Sequence, residues 1–192
     1  MKEEFNPQIE KKAENRITIT LMEWVKIVIA SFIISQIIGY TFAFSIVSGH
    51  SMNPTLSDNE RLIANKFSYI RGNYSTGNIV IFESELNMRK GLGESYYVKR
   101  IIALPNDHIK IRNGNVYLNG EELVEDYIPY QLTNSRQPID MVIPEGYVFV
   151  MGDNRDNSID SRFESMGLIS TDDILGKVVL RFFPFERFSF IR

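Results

Sequence analysis

The chain has 192 residues, a formal net charge of −3, and is 44% hydrophobic and 12% aromatic. That composition supports a real core and argues against extensive disorder. No basic excess, RNP, zinc-finger or helix-turn-helix pattern points to nucleic acid as a partner, and the absence of cysteine excludes disulfides, thiolate catalysis and Cys-based zinc sites.

Residues 1–20 are polar and of mixed charge and read as a flexible tail or a short helix. From Ile27 to Val47 no residue is charged. As a helix this run is ~31 Å long, which matches a hydrocarbon core of ~30 Å. Trp24 and Tyr40 suit the two interfaces. Two other readings compete. One is a cleaved signal peptide with Ala43-Phe44-Ser45 as its small-x-small site, although the run exceeds a usual h-region. The other is a buried helix of a soluble fold, which needs apolar packing all round. The expected organisation is a cytoplasmic tail over 1–26, a transmembrane helix over 27–47 and an extracytoplasmic domain over 48–192. The orientation follows from Lys2, Lys11, Lys12, Arg16 and Lys26 before the span, with no further Lys or Arg until Arg61.

The outer domain reads as mostly β. "RLIANKFSYI", "GNIVIFESEL" and "SYYVKRIIAL" are rich in β-branched and aromatic residues. "HIKIRNGNVYLNGEEL" alternates and carries Asn113-Gly114 and Asn119-Gly120, the signature of successive hairpins. "GYVFVMGDN" and "ILGKVVLRFFPF" complete the set, with a short helix expected around Ser161 to Met166. The expected fold is a set of antiparallel, curved, barrel-like sheets behind a single N-terminal transmembrane helix. The aromatic tail reads as a terminal core strand. A sharper alternative has Phe185, Phe188 and Phe190 entering the lipid interface beside Arg187 and Arg192.

"SGHSMNPTL" places Ser51 just beyond the apolar run. A serine needs a base, and the chain has only two histidines, His50 and His108. Neighbours in an extended segment face opposite ways, so His50 is poorly placed, and His108 follows a Pro-Asn-Asp turn. Lysine serves instead if burial lowers its pKa. In "YYVKRIIAL", alternation puts Lys99 on one face with Tyr97, Ile101 and Ala103, and Arg100 on the other as a surface or salt-bridge residue. A lysine snorkelling at a strand edge remains an equal alternative. "MGDNRDNSIDSRFESMG" reads as a polar loop, a loose calcium-loop analogue lacking the sixth-position glycine, or a buried support for such a lysine. In the last case Ser158 hydrogen-bonds it while Asp153, Asp160 and Arg162 pair to fix the loop.

"SGHSMNPTL", "GNIVIF", "YVKRIIALPNDHI" and "MGDNRDNSIDSR" resemble, in order and spacing, the sequence boxes of the type I signal peptidases. These are membrane-anchored serine proteases with a Ser/Lys dyad, and the single anchor and Gly49 look like their Gram-positive branch. The resemblance implies Ser51 as nucleophile and Lys99 as general base. It implies supporting roles for Ser158, Asp153, Arg100, Asp160 and Arg162, and an oxyanion hole built on the Ser51 backbone N–H without a hydroxyl from Gly49. Met52, Leu56, Tyr97, Val98 and Val47 would line apolar pockets for the small residues of a small-x-small site. Signal-peptide-bearing preproteins, the lipid bilayer and a nearby secretion translocon are the implied partners, with no cofactor or metal required. Asn78 stands where the family has Asp, and Ala103 and Asn106 where it has Gly. Two rivals remain: a self-cleaving repressor of the stress-response type, which lacks a span, and a tethered, inactive peptide-binding β domain.

Overall fold

A computed structural model describes residues 7–67, 72, 74–84, 96–128, 132–135 and 137–191. The ends of three expected strand stretches (68–70, 85–86 and 95), the first residues of the tail and Arg192 lie outside the described residues. The chain divides into two compact units, Met1–Tyr40 and Thr41–Arg192.

The first unit is helical. Helix α1 runs from Pro7 to Thr41, so most of the expected tail is helix. Its stretch Thr20–Thr41 is 22 residues long, apolar enough to cross a bilayer, and unburied. At about 1.5 Å per residue it reaches ~33 Å. Near its start Lys26 donates to Glu23 at 2.8 Å, one turn apart. The apolar helical stretch therefore lies closer to the N-terminus than 27–47. Residues 42–46 leave the helix because they form a strand, each paired in register with a residue of 61–65. Aromatic and branched side chains suit that pleated ladder.

The second unit is an antiparallel β domain. Its strands are β1 Phe42–Ile46, β2 Arg61–Asn65, β3 Ile79–Glu83, β4 Tyr96–Ala103, β5 His108–Arg112, β6 Asn115–Leu118, β7 Glu121–Glu122, β8 Ile139–Val142, β9 Tyr147–Met151, β10 Ile169–Ser170, β11 Ile174–Phe183 and β12 Ser189–Phe190. Among the described residues they make an eight-stranded sheet in the order β1-β2-β11-β3-β4-β9-β10, with β12 on β11, and a four-stranded sheet β7-β6-β5-β8. Both Asn-Gly pairs turn with positive φ at each residue (53° and 84°; 53° and 89°), as a two-residue hairpin requires.

Three apolar clusters fill the domain. Val47, Met52, Leu56, Leu62 and Ile79 lie in the first. Ile102, Ala103, Ile109, Phe149 and Met151 lie in the second, which joins the small sheet to β4 and β9. Val80, Phe82, Ile101 and Val150 lie in the third, with Tyr97 packed against it. A register shift between Ile101 and Ala103 against β9 breaks the alternation of β4. Ala103 thus joins the second cluster and does not share a cluster with Tyr97 and Ile101.

Two local expectations change. Residues 161–166 form successive turns, with Phe163 N–H donating to Asp160 O (2.9 Å) and Met166 N–H to Phe163 O (3.0 Å). Asp160 and Arg162, at the start of these turns, are paired through their side chains. The aromatic tail is strand only in part: Arg181–Phe183 close β11, a 3-10 turn at Phe185–Arg187 reverses the chain, and Ser189–Phe190 pair back on β11 as β12. It is not a core strand, since Phe185 and Phe190 are 77% and 76% exposed. Arg187 is tied to the buried Glu60 at 2.7 Å.

Candidate active site

Strand β4 lies between β3 and β9, with Lys99 opposite Val80. Every residue of β4 from Lys99 to Ala103 is buried, so both faces of the strand are covered there, and Lys99 is only 3% exposed. Its Nζ lies 2.6 Å from Ser51 Oγ, within hydrogen-bond distance. Burial lowers its pKa from 10.5 to about 8, against the opposing pull of the Asp160 and Asp153 carboxylates. The edge-strand alternative is excluded by this burial.

Ser51 sits in the loop between β1 and β2. Met52 and Leu56 anchor that loop in the first cluster, and Leu56 N–H donates to Met52 O at 2.9 Å. Gly49 adopts φ 87°, a conformation that disfavours side chains, and its N–H donates to the Asp58 carboxylate at 2.7 Å. No hydrogen-bond partner for the Ser51 N–H occurs among the described residues.

The polar loop after β9 closes around both residues. Arg100, buried on β4, binds Asp153 through Nε (2.9 Å) and Nη2 (2.6 Å) and donates to Gly77 O at 2.7 Å. Of the two readings for Arg100, the salt bridge is the one formed. Arg162 holds Asp160 the same way, Nε to Oδ1 at 2.8 Å and Nη2 to Oδ2 at 2.9 Å. Asp160 also accepts from Gly152 N–H at 3.0 Å. These two-point pairs keep four buried charges compensated and the loop in one geometry. The expected Ser158–Lys99 bond is not made. Ser158 Oγ is buried without a hydrogen-bond partner, and Lys99 Nζ is directed at Ser51.

Of the residues expected to contact substrate, Val47, Met52, Leu56 and Val98 gather in the first cluster, whereas Tyr97 packs on the third. Met52 and Leu56 are 1% and 0% exposed, so both are core side chains with almost no surface for a substrate to touch. Neither histidine is placed to serve Ser51. His50 is exposed, and His108 pairs with Asp140 at 2.7 Å in the small sheet.

Several residues of the site escaped the sequence reading. A Cβ on Gly152 would overlap both Ser51 O and Ser158 Oγ, so only glycine fits. Asn154 N–H donates to Ser51 O at 3.0 Å, and its carboxamide donates to His50 O at 3.1 Å. Arg155 is buried and bound to Glu125 and Thr133. Arg100 also stacks on Tyr127, 3.8 Å from the ring centre. Arg155 and Asn154 stand inside the motif already quoted, but Glu125, Tyr127 and Thr133 have no spacing signal at all.

The departures keep the local geometry. Asn78 Oδ1 accepts from Ser75 N–H at 3.1 Å, a bond a carboxylate oxygen would also make. Asn106 takes φ 69°, as a turn glycine would.

A family model described as "Signal peptidase, peptidase S26" matches residues 21–183. The chain is 35% identical over 187 residues to signal peptidase IB of Staphylococcus aureus (strain MRSA252), covering 88% of this chain and 93% of that protein. It is 37% identical over 186 residues to signal peptidase I P of Bacillus subtilis subsp. natto, covering 91% and 95%. A crystal structure of a signal peptidase I from Enterococcus faecalis V583 is 26% identical, with TM-score 0.44, covering 54% of this chain and 95% of that chain.

Proposed function

The chain belongs to the signal peptidase family S26, serine endopeptidases that remove signal peptides from preproteins, and on that premise we propose that Ser51 and Lys99 are its catalytic dyad. The observation that carries the reading is the 2.6 Å approach of a buried lysine to a serine hydroxyl. Lys99 in its neutral form accepts the proton of Ser51, and Oγ attacks the scissile carbonyl carbon. The resulting oxyanion is held by the Ser51 N–H. The Lys99 ammonium then protonates the leaving amine, the C–N bond breaks, and an ester on Ser51 remains. Neutral Lys99 next takes a proton from water, whose oxygen attacks the ester. Collapse releases the peptide carboxylate, and the proton returns from Lys99 to Ser51.

Cleavage falls after a small-x-small sequence, in pockets backed by the first cluster. The helix Thr20–Thr41 anchors the chain in a membrane, with the N-terminus cytoplasmic and the β domain outside, near the translocon that delivers its substrates. The test is cleavage of a preprotein ending in Ala-x-Ala by full-length protein in detergent. Wild type should cut after the final Ala, and Ser51→Ala and Lys99→Met should not. Equal cleavage by all three would remove the dyad, and none by any of them on several preproteins with lipid present would leave a tethered binding domain.

A further inference from the structure

The environment of Ser51 contains a second device, in Asn154. In a planar trans peptide the C=O and the N–H point in opposite directions. The His50–Ser51 bond is trans, the only cis bonds described being Asn53-Pro54 and Phe183-Pro184. Whatever holds the His50 carbonyl therefore sets the direction of the Ser51 N–H. That carbonyl accepts from Asn154 Nδ2 at 3.1 Å and from Asn53 N–H at 3.2 Å. The next carbonyl, Ser51 O, accepts from Asn154 N–H at 3.0 Å. One residue, 104 positions further along the chain, thus grips the peptide on each side of the Ser51 Cα.

The grip is stiff because its neighbours are locked. Asp153 is paired with Arg100. Arg155 is paired with Glu125, and its Nε donates to Gly152 O at 3.2 Å. On the other flank Gly49 N–H is tied to Asp58.

We propose that Asn154 is a positioning residue for the oxyanion hole: its carboxamide fixes the rotation of the His50–Ser51 peptide so that the Ser51 N–H faces the developing oxyanion. The inference rests on Ser51 being the nucleophile. Donation to the carbonyl also polarises the same peptide and strengthens its N–H as a donor.

Asn154→Leu tests this, because it removes the carboxamide at nearly constant volume, keeps the backbone bond to Ser51 O and adds no charge beside Lys99. Asn154→Ala serves as a second variant. Full-length wild type and variants in detergent are assayed on a signal-peptide substrate, and against a substrate-like peptide aldehyde, whose adduct with Ser51 carries the oxyanion. Loss of an oxyanion donor costs about 10²–10³ in kcat, and misaiming one should cost roughly 10–10². The expected result is that loss in kcat, KM within about twofold, an unchanged midpoint in the kcat–pH profile, and aldehyde affinity weakened by the same factor as kcat/KM. Unchanged kcat overturns the proposal. So does a fall accompanied by a shifted pH midpoint or by intact aldehyde affinity, since the dyad or the fold would then be what changed. If Ser51→Ala retains wild-type cleavage, the dyad itself has failed, an outcome distinct from an Asn154 variant matching wild type.

Discussion

Lys99 Nζ stands 2.6 Å from Ser51 Oγ, although 48 positions separate the two residues in the chain. The serine belongs to a loop beside the first strand and the lysine to an inner strand, so the domain must be folded for the pair to exist. Burial is what lowers the pKa of the lysine, and it is also a cost to the fold.

Lys99→Met should therefore separate activity from stability. Removing a member of such a unit lowers kcat by about 10⁴-fold or more. A methionine in the same core removes the charge that burial penalises, so the variant should unfold at or above the wild-type temperature. Thermal unfolding beside a cleavage assay checks this, and a strongly lowered Tm with residual activity would contradict it.

The pH dependence has a defined sign. The native pKa of about 8 lies below the reference 10.5, so kcat/KM should rise about tenfold per pH unit at low pH and level off above pH 8. For stability, the unfolded chain holds this proton between pH 8 and 10.5 while the native state does not. Stability should thus rise with pH across that window, by roughly 3 kcal/mol for the full difference. Below pH 8 both states are protonated, and the native state bears the penalty. Subtracting the denaturation profile of Lys99→Met isolates the effect, and two parallel profiles would argue against a depressed lysine.

Gly152→Ala should disable the site. The new methyl overlaps the Ser51 carbonyl, which is backbone, and Ser158 Oγ. Overpacking of this kind costs about 1–3 kcal/mol and displaces Ser51. Activity should fall by about 10² or more, since small misplacements have that effect. Gly120→Ala is the control: it is strained by its φ of 89° but meets nothing within 4 Å, so it should lose about 1 kcal/mol and keep kcat.

Glu125→Gln leaves the buried Arg155 guanidinium without its carboxylate. Breaking a buried pair costs about 3–5 kcal/mol, so a clear fall in Tm is expected. Arg155→Met combined with Glu125→Leu should recover part of it. A single variant as stable as wild type would show that the pair contributes nothing.

The exposed rings of Phe185 and Phe190 should make the β domain adhere to lipid. A chain starting at Thr41 should co-sediment with liposomes, and Phe185→Ser with Phe190→Ser should weaken this roughly tenfold, given ~25 cal/mol per Å² of apolar area. Equal partitioning of the two proteins would remove these rings from any membrane contact.

The sequence by itself determined what local chemistry can announce. The uncharged run gave a helix long and apolar enough to cross a bilayer, the Asn-Gly pairs gave two hairpins, and the runs around Ile79, Lys99, Tyr147 and Ile174 gave the inner strands. Each of those signals is carried by neighbouring residues. The short strands β1, β8 and β10 escaped, because a strand of a few residues is created by its partner more than by its own composition. For the same reason the apolar run reads as one helix through Val47, although residues 42–46 pair with 61–65. Ser51 and Lys99 were legible as a serine without a histidine and a lysine among apolar neighbours. Only the tertiary structure decided that they meet, that Ser158 does not bind the lysine, that Gly152 admits no side chain, and that Asn154 and Arg155 join the loop to the rest. Those relations link residues far apart in the chain, and periodicity or spacing records only what is near.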